Sequence, residues 1–166
     1  MRIYLIGYMG SGKSTLGKRL AKHAGMDFID LDKHIEEQNC QTIPRMFKTE
    51  GEDIFREKER KALEEVSEFD NVVIATGGGA PCFFNNMELM NRTGITIYLD
   101  VDPEILAERL VLSKTVRPLI HGKTRQELVD FIAENLGKRR SFYEQSRYRI
   151  NNPDINPELI LKLITG

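Results

Sequence analysis

The feature that most constrains this chain lies within its first two dozen residues. Arg2–Ile6 reads as a short buried strand, and Gly7-Tyr8-Met9-Gly10-Ser11-Gly12-Lys13-Ser14 follows it at once, fitting G-x-x-x-x-G-K-[ST] without exception. Helical spacing then runs over residues 11–24 through Leu16, Leu20 and Ala24. Strand, glycine-rich turn and helix in that order converge several backbone N–H groups and the positive end of a helix dipole on one point, which suits a phosphate. Lys13 is then within reach of the β- and γ-phosphates of a nucleotide, and Ser14 within reach of Mg²⁺.

The rest of the chain repeats the alternation. Residues 28–32 read as a second strand. A polar, helical region runs over 32–69, with Phe55, Ala62, Val66 and Phe69 on one stripe. Val72–Ala75 and Ile95–Leu99 are apolar strands. Asp102 and Pro103 look like the cap and first residue of a helix that turns Ile105, Leu106 and Leu110 inward. Thr124 and Glu127 form a capping-box pattern, 147–150 reads as a last strand, and Asn156-Pro157 opens a closing helix carrying Leu159, Ile160, Leu163 and Ile164. This order predicts a single α/β domain over 1–166 with a parallel sheet, whose ligands sit at the carboxyl ends of the strands.

Composition narrows the function. The 166 residues are 40% hydrophobic and 30% charged with a net charge of −1, which argues against affinity drawn from a nucleic-acid backbone or an anionic membrane. Cys40 and Cys82 form no CxxC pair and read as reduced thiols, and His23, His34 and His121 have no metal-ligand spacing. No apolar run reaches transmembrane length and no signal peptide precedes the first strand, so a cytoplasmic protein is expected. The chain has no N-K-x-D stretch for guanine selection, and its size suits a small-molecule kinase.

Further candidates follow the strands. Asp30 and Asp32 close the second strand, and a period of two sets both on one face at the ligand end. One could lie near Mg²⁺ while the other accepts a hydrogen bond from a substrate hydroxyl, or Asp32 could simply cap the next helix. Asp100, ending Ile95–Leu99, competes for the metal. Gly77-Gly78-Gly79 permits close backbone approach to a ligand, or is a flexible turn. Arg139 continues the apolar stripe of Leu128, Ile132 and Leu136, where a guanidinium needs an anion or a route to water. Arg56 has Glu52 and Glu59 in helical reach and could belong to a surface ion-pair lattice. Arg117 lies in a segment, about 112–124, that reads either as a lid over a transferring phosphate or as an ordinary loop.

As an ordered set, GYMGSGKS, FIDLD, FREKE, ATGGG, VRPLI and RRSFY resemble the motifs of the shikimate kinase family over nearly the whole chain. The resemblance implies a three-layer P-loop fold with a five-stranded parallel sheet in the order 2-3-1-4-5, and ATP with Mg²⁺. Gly10, Ser11, Gly12, Lys13, Ser14, Thr15 and Arg117 would serve the nucleotide, and Ser14 and Asp30 the metal. Asp32 would be the base, with Lys13 and Arg117 assisting transfer. Arg56, Gly77, Gly78, Gly79 and Arg139 would hold shikimate together with Asp32, within a substrate-binding region of about 32–62. Arg140 stands beside Arg139 as an alternative carboxylate ligand. The implied partner is a small-molecule substrate, with no nucleic acid or membrane, and a monomer is expected. A gluconate-type kinase is the nearest rival reading. A nucleotide-gated nucleic-acid or protein-binding module is another, resting on the basic and aromatic run 138–149.

Overall fold

The computed structural model of the chain describes residues 1–112, 122–152 and 154–166. Five strands form one parallel sheet: β1 (Arg2–Ile6), β2 (Asp27–Asp30), β3 (Val72–Ala75), β4 (Ile95–Leu99) and β5 (Tyr148–Ile150), in the order β2-β3-β1-β4-β5. Eight α-helices lie among the described residues: α1 (Lys13–Ala24), α2 (Leu31–Asn39), α3 (Ile43–Glu50), α4 (Glu52–Val66), α5 (Asn86–Thr93), α6 (Pro103–Leu112), α7 (Arg125–Tyr143) and α8 (Pro157–Thr165).

The two-residue period of the strands divides the core in two. Ile3 and Leu5 of β1 join Val73, Ile97 and Leu99 on one face, covered by Leu16 and Leu20 of α1 and Ile160 of α8. Tyr4 and Ile6 join Val72, Ile74 and Tyr98 on the other, against Ile35, Leu63, Leu106, Leu128 and Ile132 of four helices. Helices on both faces explain why β3 is apolar throughout rather than alternating, since all four of its residues are buried. Each of these large aliphatic side chains contributes roughly 1.5–3 kcal/mol by leaving water.

Several local expectations need correction. β2 stops at Asp30, not at residue 32. The Asp30 side chain accepts from the Lys33 N–H and caps α2, so Asp32 belongs to the first helical turn. The residue that caps is thus Asp30 rather than Asp32. Residues 32–69 hold three helices, and the last ends at Val66, leaving Phe69 outside it and exposed. On α6, Leu106, Ala107 and Leu110 are buried while Ile105 is exposed; on α8, Leu159 and Leu163 face outward. The second capping pattern forms as expected, with Thr124 Oγ1 accepting from Glu127 N at 3.2 Å. The 3₁₀ turn Ala80–Cys82 and α5 have no counterpart in the expected element order.

That 3₁₀ turn is held from behind. Asn86 is fully buried, donates to Ala80 O at 2.8 Å and accepts from Arg60 Nη1 at 2.8 Å. Replacing it by alanine strands a buried carbonyl and a guanidinium N–H. Asn86→Ala is expected to lower stability by about 1–3 kcal/mol in denaturant unfolding.

Candidate active site

The loop after β1 curls through a left-handed residue at its end. Gly12, with φ of 96°, caps α1 in a conformation that strains any residue with a Cβ. Lys13 is folded into the loop, its Nζ donating to Gly7 O at 2.7 Å and Tyr8 O at 2.9 Å, so a buried ammonium sits at the centre of the turn. Ser11 is buried, and its Oγ has no hydrogen-bond partner among the described residues. Ser14 Oγ donates to Asp30 Oδ2 at 2.9 Å. A hydroxyl and a carboxylate side by side are the oxygen donors that a hard cation such as Mg²⁺ takes, the remainder coming from phosphates and water. Among the described residues no cluster of three or more acidic, His or Cys groups forms a self-sufficient metal cage.

Asp100, the alternative metal carboxylate, is committed elsewhere. It accepts from Arg149 Nε at 2.8 Å and from the same guanidinium's Nη2, and from the Tyr98 hydroxyl at 3.2 Å. Asp100 thus ties β4 to β5, and Asp30 is the carboxylate in contact with Ser14.

Beyond the loop, the glycine triplet is faced by four charged side chains. A methyl group on Gly77 would lie 2.7 Å from Asp32 Oδ1 and 3.3 Å from Glu59 Oε2. On Gly78 it would lie 3.3 Å from Arg139 Nη1, and on Gly79 2.6 Å from Arg56 Nη2. Only glycine allows these charged groups so close to the backbone. Neither the Gly78 nor the Gly79 N–H donates a hydrogen bond among the described residues.

Each charge carries the mark of its surroundings. Burial raises the Asp32 carboxyl above its ordinary range, Asp30 adds to the rise, and Lys13 opposes it. Arg56 is 9% exposed, and its guanidinium lies 4.1 Å from the Phe83 ring centroid and 5.2 Å from that of Phe55. It donates to Glu59 at 2.9 Å and to Glu52 at 3.3 and 3.4 Å. The helical partners read from sequence are therefore real, but this is no surface lattice. Three of its five N–H groups are used, and two are left for a ligand. Arg139 packs its guanidinium 5.4 Å from the Tyr8 ring centroid and makes no ion pair among the described residues. Arg140, its neighbour, is exposed, so Arg139 is the one beside the triplet.

On the far side of the loop, Gly10, Gly12, Thr15, Leu16, Arg19, Arg109 and Asp154 line a cleft of about 280 Å³. Arg109 spans it to donate to Gly10 O at 3.1 Å. Arg19 was missed in the sequence; its helical position gives no signal that it meets Arg109 across the fold. Asn151 and Asn152, which follow β5, are exposed and do not line the cleft, whereas Asp154 does. Arg117 and most of the segment 112–124 lie outside the described residues. Within the basic run 138–149, Tyr143 is buried and Arg149 is paired with Asp100.

A parallel sheet in this order, with a phosphate loop after β1 and an anion-binding pocket beside it, defines a P-loop phosphotransferase. The comparisons with known proteins narrow the class. The shikimate kinase family model matches residues 9–165. A curated shikimate kinase of Bacteroides fragilis is 55% identical over 148 residues, 89% of this chain and 83% of its own. The crystal structure of shikimate kinase from Bacteroides thetaiotaomicron superposes with a TM-score of 0.95 at 47% identity, over 100% of this chain and 99% of that one. The Acinetobacter baumannii shikimate kinase in complex with shikimate gives 0.86 at 35% identity, over 99% and 92%. The chain belongs to the shikimate kinase family.

Glu59 is the acidic group whose importance the sequence hid. It is 1% exposed, and burial pushes its carboxyl up to about 7, against the pull of Arg56 and with a further push from Asp32. Between its ordinary value of 4.5 and about 7 the folded chain holds a proton that the unfolded chain has released. This group's stabilising contribution is thus full below that window and lost as pH rises through about 7. Wild type is expected to lose more unfolding free energy than Glu59→Gln between about pH 5 and about pH 8, by on the order of 3 kcal/mol. Parallel losses in denaturant titrations would contradict this.

Proposed function

We propose that the chain transfers the γ-phosphoryl group of ATP to the 3-hydroxyl of shikimate, giving shikimate 3-phosphate and ADP for aromatic amino-acid biosynthesis. The observation that carries this reading is the sequence of Asp32, Arg139 and Arg56 along Gly77, Gly78 and Gly79, next to a loop built for phosphate. Family membership and the shikimate complex of a 35% identical relative support it.

The acid is gripped by charge. Arg139 and the two remaining N–H groups of Arg56 hold the carboxylate, and the N–H groups of Gly78 and Gly79 serve ring hydroxyls. Asp32 accepts a hydrogen bond from the reacting hydroxyl. As the O–P bond forms and the bond from Pγ to the bridging oxygen of ADP breaks, the hydroxyl proton passes to Asp32. The surroundings that raise Asp32 make it a better proton acceptor than an ordinary carboxylate. Lys13 and the loop amides of Gly10, Ser11 and Gly12 stabilise charge gathering on the phosphates, and Thr15 and Arg109 flank the nucleotide. Ser14 and Asp30 are the residues that would hold Mg²⁺, whose charge offsets that of the phosphates. No covalent intermediate is needed, because positioning and charge neutralisation supply the rate.

In this reading 1–166 is one kinase domain with a substrate-binding region of about 32–62. The segment of about 112–124 is a lid that brings Arg117 onto ATP. The enzyme works as a cytoplasmic monomer on a free metabolite; no helix among the described residues is long and apolar enough to cross a membrane.

The test is ADP release with shikimate, with and without Mg²⁺, followed by identification of the product. Gluconate is run in parallel; turnover of gluconate and not shikimate would overturn the reading. Asp32→Asn is expected to lower kcat by roughly 10²–10⁴-fold while ATP binding persists, and near-normal turnover would remove Asp32 from its role. Arg139→Ala is expected to act mainly on the KM for shikimate, and an unchanged KM would move the carboxylate contact elsewhere.

A further inference from the structure

Tyr143 ends the RRSFY segment and is fully buried at the last turn of α7. Its ring packs against Tyr98 with centroids 5.2 Å apart. Its hydroxyl donates to the carbonyl oxygen of Gly78. The Arg139 guanidinium lies close enough to the same hydroxyl for each to perturb the other. A phenol has one proton to donate, which the Gly78 carbonyl takes, and lone pairs that can face a cation. Burial raises its pKa further, and it stays a donor throughout the neutral range. No other side chain among the described residues hydrogen-bonds to the carbonyls of the triplet.

We infer that Tyr143 is a positioning residue for the acid substrate, one hydroxyl setting both the Gly78–Gly79 peptide plane and the Arg139 guanidinium. The peptide unit is planar and trans, so its C=O and N–H point in opposite directions. Pulling the Gly78 carbonyl toward α7 turns the Gly79 N–H the other way. Glycine resists such rotation less than any other residue, so a triplet without this anchor would sample several orientations. The lone pair on the same oxygen holds Arg139, whose other support is the face of Tyr8. Backbone donors and carboxylate ligand are thereby registered to each other across two distant parts of the chain. Tyr143 touches neither the nucleotide cleft nor the Ser14–Asp30 pair, so its effect belongs to the acid alone.

The inference rests on the shikimate reading, and the experiment separates the two. Steady-state kinetics on the full chain vary shikimate at saturating ATP and ATP at saturating shikimate, for wild type, Tyr143→Phe and Tyr98→Phe, with folding checked by circular dichroism. Wild type that fails to turn over shikimate sinks the reading itself. Given wild-type turnover, Tyr143→Phe is expected to raise the KM for shikimate roughly tenfold or more, leaving the KM for ATP unchanged. Tyr98→Phe, which removes a neighbouring hydroxyl bonded to Asp100, leaves both unchanged. An unaltered shikimate KM in Tyr143→Phe, whatever its melting temperature, overturns the inference. So does an equal rise in both KM values, or an equal rise in Tyr98→Phe. Replacing Tyr143 by p-aminophenylalanine keeps an N–H donor for Gly78 and is expected to hold the KM near that of wild type, including where Tyr143→Phe does not fold; a raised KM there counts against the inference.

Discussion

The site depends on a guanidinium and a carboxylate held together out of water. Arg56 and Glu59 are both buried and lie 2.9 Å apart. Such a pair adds little net stability, because desolvating two ions costs about as much as their attraction returns. Its consequence is geometric. Glu59 fixes one edge of the Arg56 guanidinium, and Phe83 and Phe55 fix its faces. Only the edge toward Gly79 is left to meet a ligand. The raised Glu59 carboxyl records what that arrangement costs when both partners are charged.

The sheet determines where these charges meet. Parallel strands send all their carboxyl ends to one edge, and the register pairs Asp30 with Ala75 and Leu5 with Ala75. The phosphate loop after β1, the Asp30 cap after β2 and the triplet after β3 therefore leave the sheet side by side. The order β2-β3-β1 is the topological reason that Asp30, Asp32 and the glycine-rich loop after β1 share one crevice. Arg139 arrives from a helix far beyond the triplet in sequence, and Tyr143 one turn later donates to the Gly78 carbonyl.

What was legible in the sequence was whatever short-range chemistry encodes. The loop Gly7 to Ser14 and the period-two strands announce themselves, because neighbours in the chain are neighbours in space. Asp30, Asp32, Arg56 and Arg139 were legible as candidates, but their surroundings were not. Helical spacing correctly joined Glu52 and Glu59 to Arg56, yet it could not say that the lattice is buried, since burial comes from Phe47, Phe55 and Phe83 folding over it. The contacts of Arg109 and Tyr143 stayed hidden for the same reason: their partners, Gly10 and Gly78, lie 99 and 65 residues away. α5 was missed because its mixed, Met- and Asn-rich eight residues give a weak pattern, and Asn86 earns its place only through Arg60 and the Ala80 carbonyl.

The pair Asp30 and Asp32 shows how one wrong local step can still reach the right atoms. Strand alternation would set both carboxylates on one face in equivalent surroundings. The capping bond from Lys33 N to Asp30 instead ends the strand and starts a helix, so the two residues diverge. Asp30 turns to Ser14, whose hydroxyl donates to it at 2.9 Å. Asp32 is carried by the first helical turn toward Gly77, where burial and the charge of Asp30 favour the proton. Two identical groups, two positions apart, thus come to different surroundings, one beside a hydroxyl and the other against the glycine triplet, and such differences in environment are what give two carboxylates different chemistry.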